Sequence, residues 1–503
     1  MKTKLIFAFL FSLYFAFGCA EREANQVEPE VEYHVDFVGQ PDSRMPVIYF
    51  SVVVKSGSAD DPEGKEGLAW LTAHYLERGT ESYSKEEISQ KIASLGGRLD
   101  IRVDREVIHI SARVLSRELE NFYPVFREIL LQPSFSFAEL EALKADQKHA
   151  LKQVIQNDAR LCLATLEKHL YAGHPYEHPV MGLFSSNEKL TPEDAREFHT
   201  EHFTSANIIC GLAGDYPEAF AHEFVDDLNS LGGETVERIR PQARGYSERT
   251  VIIVEKPGRD QAQIRIGKLL RYTRRDPVWY PLQIANSYLG RHREMFGRLF
   301  MTIREERGLS YGAYSYHEHF RQAGWSNNPL SLTPFEPQYF SIWTYPRREN
   351  TEFAIKMSLY ELEKLITTGI EPLAMETVKS YEINHFPFLI EAAKQRLDKN
   401  LEEIYYELPG FIENYETRIM KQSSADVNTA VYDHWSSDGL LIVIVTDQAE
   451  KMKSELLSQQ TSLTLPEGAS ANGLEEVNRR VKDFDLGLNP EDIVIIHADK
   501  LFR

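Results

Sequence analysis

The chain carries one structural plan twice. Pro46 to Lys55 (PVIYFSVVVK) is rich in Val and Ile, as a strand is, and a turn over Ser56–Pro62 leads into a helix from Gly67 to Glu77. Gln261 to Leu270 is a second such strand, Asp276-Pro277 the same punctuation, and Val278 to Leu289 the same helix. Pro62 and Pro277 lie 215 residues apart. That period is domain-sized, far beyond the roughly 20–50 residues of solenoid repeats. The steps that follow also recur. Ser84-Lys85-Glu86-Glu87 reads as a capping box, and its helix stops at Gly96-Gly97. Leu99–Val103 and Val107–Val114 form a hairpin, and Leu119, Phe122, Phe126, Ile129 and Leu130 share one face of an amphipathic helix. In the second half, strands at Tyr311–Tyr316 and Tyr339–Tyr345 and a helix at Phe353–Ile366 take these places. The closing strands are Ile208–Gly214 and Leu440–Thr446. A chain of 503 residues exceeds the roughly 250–300 that one core serves. The expected fold class is α+β: two homologous domains, each a mixed β-sheet with helices packed on one face. The boundaries are an N-terminal domain at 34–216, a charged linker at 217–249, a C-terminal domain at 250–465, and an extension at 466–503 ending in one more strand, Ile493–Ile496.

Residues 1–18 stand apart. Lys2 and Lys4 precede an apolar run from Leu5 to Phe17, the layout of a secretory signal peptide, too short for a membrane span. Residues 19–33 then read as a polar tether. Ala16-Phe17-Gly18-Cys19 resembles a bacterial lipobox, with Ala16 where Leu is usual. The resemblance implies acylation of Cys19 and an exported lipoprotein, periplasmic or attached to the outer membrane; the other reading is a plain secreted protein in which Cys19 has no role. The formal charge of -20 argues against nucleic acid as a partner and suits solubility. Cys162 and Cys210 give no disulfide framework and read as buried thiols.

The first helix carries the sharpest motif, in Gly67-Leu68-Ala69-Trp70-Leu71-Thr72-Ala73-His74 and, after it, Gly79-Thr80. It resembles the metal helix of the insulinase and pitrilysin family of zinc peptidases, the inverzincins, whose pattern is Gly-Leu-Ala-His-x-x-Glu-His and then Gly-Thr. Two histidines one turn apart hold Zn²⁺, the Glu between them activates the bound water, and a third ligand comes from a later helix. Here Trp70 replaces the first His, Ala73 replaces the base, and only His74 is kept. The third-ligand position falls near Gln153, a poor zinc ligand. One histidine cannot make a three-ligand site. No zinc cofactor is expected in this chain, and His74 alone reads as an ordinary helix residue.

The resemblance covers nearly all of the chain after the signal peptide. Val251 to Gly258 followed by Gln263-Ile264-Arg265-Ile266-Gly267 looks like the start of the family's second domain. Gly297 to Tyr311 (GRLFMTIREERGLSY) matches the segment that supplies an Arg and a Tyr seven residues apart to the substrate at the zinc, here Arg304 and Tyr311. Read without the family, Arg304 would pair with Glu305 or Glu306 and Tyr311 would pack. Read with it, lost metal ligands beside an intact Arg/Tyr pair imply the non-catalytic half of a two-chain peptidase. The zinc would then sit in a partner subunit of the same family, and peptides would be the substrate. The alternative is a peptide-binding or scaffold pseudoenzyme with no peptidase partner.

Overall fold

The computed structural model describes residues 34–236, 241–322, 329–458, 460–467 and 472–502. The expected signal peptide, tether and Cys19 lie outside the described residues. Two sheets dominate. The first has five strands: β1 (Asp36–Pro41), β2 (Val47–Val54), β3 (Arg98–Val103), β4 (Ile108–Leu115) and β5 (Ile208–Gly214), in the order β1-β5-β2-β4-β3. The second has six: β6 (Thr250–Glu255), β7 (Gln263–Leu269), β8 (Ala313–Tyr316), β9 (Tyr339–Thr344), β10 (Leu441–Thr446) and β11 (Ile493–His497), in the order β11-β6-β10-β7-β9-β8. Without β11 the two orders are the same, with one parallel pair (β1 with β5, β6 with β10) and antiparallel ladders beyond it. The duplication read in the sequence is thus a duplication of topology.

The helices of the first half are α1 (Leu68–Tyr75), α2 (Lys85–Ser94), α3 (Leu119–Leu131), α4 (Phe137–Gln156), α5 (Asp158–Leu170), the short α6 (Phe184–Asn187), α7 (Pro192–His202) and α8 (Glu218–Asn229). Those of the second include α9 (Trp279–Gly290), α10 (Thr351–Thr368), α11 (Pro372–His385), α12 (Ala393–Tyr405) and α13 (Phe411–Met420). The capping box forms as read: Ser84 Oγ accepts from the Glu87 N–H, and Glu87 accepts from the Ser84 N–H at 2.8 Å. Phe50 on β2 meets Phe122 and Phe126 of α3, and these rings anchor the first core.

Three boundaries differ from the sequence reading. The expected linker 217–249 begins with α8, whose Phe220, Phe224 and Leu228 are buried against the first core, with Phe50 at 5.9 and 5.8 Å from the two rings. Its acidic residues mask a stripe repeating every four positions. The expected C-terminal extension is integral to the second sheet, since β11 pairs along β6 and Asn478 accepts from buried Arg307. Tyr311 precedes β8 instead of lying in it.

Each sheet carries its own helices on one face, and a helix of the other half covers the second face. α5 lays Leu166 and Leu170 over β7 and β10; α12 lays Ala393, Leu397 and Leu401 over Val53, Ile209 and Ala213 of the first sheet. Glycine admits both. A Cβ on Gly267 would stand 3.0 Å from Leu166, and one on Gly211 would stand 2.5 Å from Leu397. Within the first half, buried Arg105 pairs with Glu167 of α5 at 2.7 Å, and across to the second half Tyr171 Oη bonds His319 Nε2 at 2.8 Å. Burial opposes charge on Glu167, but Arg105 and Arg321 outweigh it and hold the carboxyl at about 2. Tyr33–Arg503 accordingly forms one compact unit. No helix among the described residues is long and apolar enough to cross a membrane.

Candidate functional site

α1 is built as a rigid first turn. Gly67 sits at its N-cap at φ +96, and Asp61 reaches forward so that its carboxylate accepts from the N–H of Gly67 at 2.6 Å and of Ala69 at 2.7 Å. A carboxylate at a helix N-terminus satisfies donors the helix leaves open and meets the positive end of its dipole. Burial still pushes the Asp61 carboxyl well above its ordinary range. From α4, buried Gln147 donates to the carbonyls of Gly67 and Met181, both at 2.9 Å, and accepts from Asn187 at 2.7 Å. Neither residue was singled out from the sequence. Gln147 left a signal, as the one polar residue in the buried stripe Leu140, Leu143, Gln147, Leu151, Val154.

The positions that would carry zinc are occupied by other chemistry. The Trp70 ring lies against His74, centroids 4.0 Å apart, and Ala73 is fully buried in the core. His74 Nδ1 faces Glu77 at 3.4 Å. Gln153 shares a hydrogen bond with His149 one turn earlier, at 2.8 Å. Among the described residues, no group of three His, Cys, Asp or Glu side chains converges to hold a metal ion. An indole has no lone pair to offer, and Ala73 offers neither ligand nor base, so these residues do not fit a catalytic zinc. His174 and His178, in the loop after α5, make local contacts instead: His174 Nδ1 accepts from the Tyr176 N–H, and His178 Nδ1 lies 3.0 Å from the Pro179 carbonyl. Cys162 and Cys210 are buried free thiols, and burial pushes the Cys162 thiol up to about 12.

Arg304 and Tyr311 are brought together. Phe300–Glu305 forms a π-helical turn, an i→i+5 geometry frequent at functional sites. The guanidinium of Arg304 lies 4.2 Å from the Tyr311 ring centroid and 4.7 Å from that of Phe300, which the sequence reading had not marked. Arg304 Nε also forms a loose ion pair with Glu305 at 3.6 Å, beyond hydrogen-bond length, as the reading without the family expects. The Arg304 side chain is 32% exposed and Tyr311 72% exposed. The other arginine of the motif, Arg307, is structural: fully buried, it donates to Asn478 at 2.8 Å, to the Thr302 carbonyl at 2.7 Å and to Glu306 at 2.6 Å. The motif thus fixes its base with one arginine and presents the other on a tyrosine. A guanidinium fork and a phenol side by side can both donate to one carbonyl oxygen or carboxylate.

Known proteins resemble the chain as a whole. Residues 39–183 match the family described as Insulinase (Peptidase family M16), and residues 189–381 match its companion, described as Peptidase M16 inactive domain. The Non-peptidase homolog YmxG of Helicobacter pylori is 23% identical over 446 residues, 86% of this chain and 95% of that protein. The Uncharacterized zinc protease YmxG of Bacillus subtilis is 22% identical over 280 residues. That match spans 55% of this chain and 66% of the relative, and 61% of a similar Streptomyces coelicolor protein is spanned. Among solved structures, a peptidase M16 inactive domain from Pseudomonas fluorescens superposes with a TM-score of 0.73 at 22% identity, covering 82% of this chain and 96% of that one. The periplasmic protease PqqL of Escherichia coli superposes with a TM-score of 0.63 at 14% identity, covering 81% and 44%. At such identities these structures share the fold.

Proposed function

Because this chain belongs to the insulinase (M16) peptidase family, we propose that it is the non-catalytic subunit of an exported two-chain peptidase, holding peptides for a zinc-bearing partner of the same family. The observation that carries the reading is the contrast within one chain. α1 keeps the Gly-Leu-Ala opening of the metal-helix motif but only one of its ligands, His74, while the Arg304 guanidinium lies on the Tyr311 ring, 3.6 Å from Glu305.

In this reading Arg304 and Tyr311 face the scissile carbonyl of a peptide lying between the two subunits. The Tyr311 hydroxyl donates to the oxygen as it gains charge, and Arg304 supplies a fixed cation beside it. Export and a lipid anchor at Cys19 belong to the same proposal; the periplasmic PqqL supports export by likeness of fold. A scaffold role without hydrolysis is the second reading, favoured by the Helicobacter pylori relative, whose name is that of a non-peptidase.

The test mixes this chain with a family member of the same organism that keeps an intact His-x-x-Glu-His, sought first in the neighbouring reading frames. Peptide hydrolysis should appear only in the mixture. Arg304→Ala or Tyr311→Phe should cut it on the order of 10²–10³-fold, the cost of one oxyanion donor. A partner fully active alone, or variants without effect, refutes the proposal.

A further inference from the structure

Arg265 stands in the middle of β7, on the face opposite the core residues Ile264 and Ile266, directly across from Trp343 of β9. It is only 8% exposed. Its guanidinium lies 4.6 Å from the Trp343 ring centroid and 5.8 Å from that of Tyr316, and its Nε has no hydrogen-bond partner. Four other arginines of this chain that are largely or fully buried each have a carboxylate: Arg105 has Glu167, Arg274 has Glu318, Arg291 has Glu382 and Arg307 has Glu306. Among the described residues Arg265 has none. A cation taken out of water without a counter-charge destabilises the fold, and a ring face returns only part of that cost. Nor does the fold require an arginine there, since the same face of the matching strand β2 carries Tyr49, across from Arg113.

What Arg265 does have is a route to the clamp. Trp343 lies 5.7 Å from Tyr314 and 5.3 Å from Tyr345; the Tyr345 N–H donates to Ser310 Oγ at 3.1 Å and its hydroxyl lies 2.5 Å from where a Cβ on Gly312 would stand, on either side of Tyr311, on which Arg304 stacks. Exposed Tyr311, half-buried Tyr345 and Trp343, and buried Arg265 thus line up beside the edge strand β8. A cation stands at each end: Arg304 has Glu305 at 3.6 Å, and Arg265 has no acid in ion-pair range among the described residues.

We propose that this track is a carboxylate subsite: a peptide held at Arg304 and Tyr311 places a carboxylate against the guanidinium of Arg265, with Trp343 and Tyr316 as walls. The inference rests on the clamp reading above and adds a substrate class to it, peptides bearing a carboxylate along the extended chain. An Asp or Glu side chain and a free C-terminus offer the same chemistry. Arg265 then sets specificity, while the clamp acts on any peptide.

Calorimetric titration of the full chain with three short N-acetylated peptides of one neutral sequence tests this. One ends in an amide and carries no acid, one ends in an amide and carries a single Glu, and one has a free C-terminus and no acid. At least one carboxylate peptide should bind about 10- to 100-fold tighter than the neutral one, the worth of a charge-assisted hydrogen bond, and the arm that gains names the source. Arg265→Met should abolish the gain, leave the neutral affinity unchanged and melt no lower than the wild type; Arg265→Lys should keep part of the gain. Equal affinity for all three peptides, no detectable binding, a gain that survives Arg265→Met, or an Arg265→Met chain that melts well below the wild type overturns the proposal. The clamp is read separately. If Arg304→Ala and Tyr311→Phe leave every affinity and the mixed-chain hydrolysis intact while Arg265→Met removes the gain, the subsite stands and the clamp falls.

Discussion

Glu382 on α11 is 1% exposed and is surrounded by donors. It accepts from Arg291 at 2.7 Å, Gln283 at 3.1 Å, Tyr415 at 2.6 Å and Ser287 Oγ. Burial opposes its charge, yet Arg291 and these hydrogen bonds together hold its carboxyl below the ordinary value. The cluster ties α9 to α11 and α13 under the loop that leads from α9 into the clamp turn. Glu382→Gln keeps the shape and removes the charge. Arg291 is then a desolvated cation without a partner, and breaking such a pair from one side costs about 3–5 kcal/mol. The glutamine oxygen can still accept one or two of the four donors, so the expected loss is near the lower end, about 3 kcal/mol. A chain this large does not unfold in two states. Amide hydrogen exchange of α9 and α11 is therefore the assay, and a loss of that size should raise their opening equilibrium about 100-fold. Replacing the pair together, Arg291→Met with Glu382→Leu, should restore most protection, because the unpaired charge is gone. The carboxyl is lower in the folded state than in the unfolded, so its contribution is complete at neutral pH and is lost as pH falls through the folded value. The difference between Glu382→Gln and wild type should shrink in acid. Unchanged exchange in Glu382→Gln, or a double variant no better than the single, refutes the reasoning.

Three further outcomes are expected. Glu167 and Glu318 are held at about 2 in the fold and buried His317 and His319 at about 4, so the unfolded chain binds more protons than the folded one below about pH 6.5. The melting temperature should fall steadily between that pH and about 2, and His319→Gln should flatten the upper part of the slope; a flat profile contradicts the assignment. Gly211→Ala sets a Cβ against Leu397 and the Val38 carbonyl, which should cost about 1–3 kcal/mol and show as faster exchange in α12. His74→Ala removes a ring, 22% exposed, that lies against Trp70 and faces Glu77, so stability should change by less than about 1 kcal/mol and zinc content, measured by elemental analysis, should not change. Stoichiometric zinc lost in that variant would contradict the account of α1.

The fold was legible where a local pattern carries it. β5 spans Ile208–Gly214 as read, β10 and the strand at Ile493 fall within a residue of expectation, and the period of 215 became a shared strand order. What failed was masked by composition: α8 hid behind its acids, and the contribution of β11 to the second sheet depends on a pairing that no local pattern encodes. The site divides the same way. Trp70, Ala73 and His74 are read from one motif of the family resemblance and Arg304 and Tyr311 from a second, and the structure stacks the last two. Asp61, Gln147, Phe300 and Arg265 matter through partners elsewhere in the chain, or through lacking one, which spacing does not reveal.

The exchange of α5 and α12 has a consequence for ancestry. Each half has one sheet face that only the other half closes, so neither half is a self-sufficient folding unit, and cutting the chain after Asn229 would yield two fragments with a bare apolar face. A half-length forerunner with this plan faced the same deficit. A second copy of itself, lending its own helix in return, would have closed it. The covalent chain then reads as a fused homodimer.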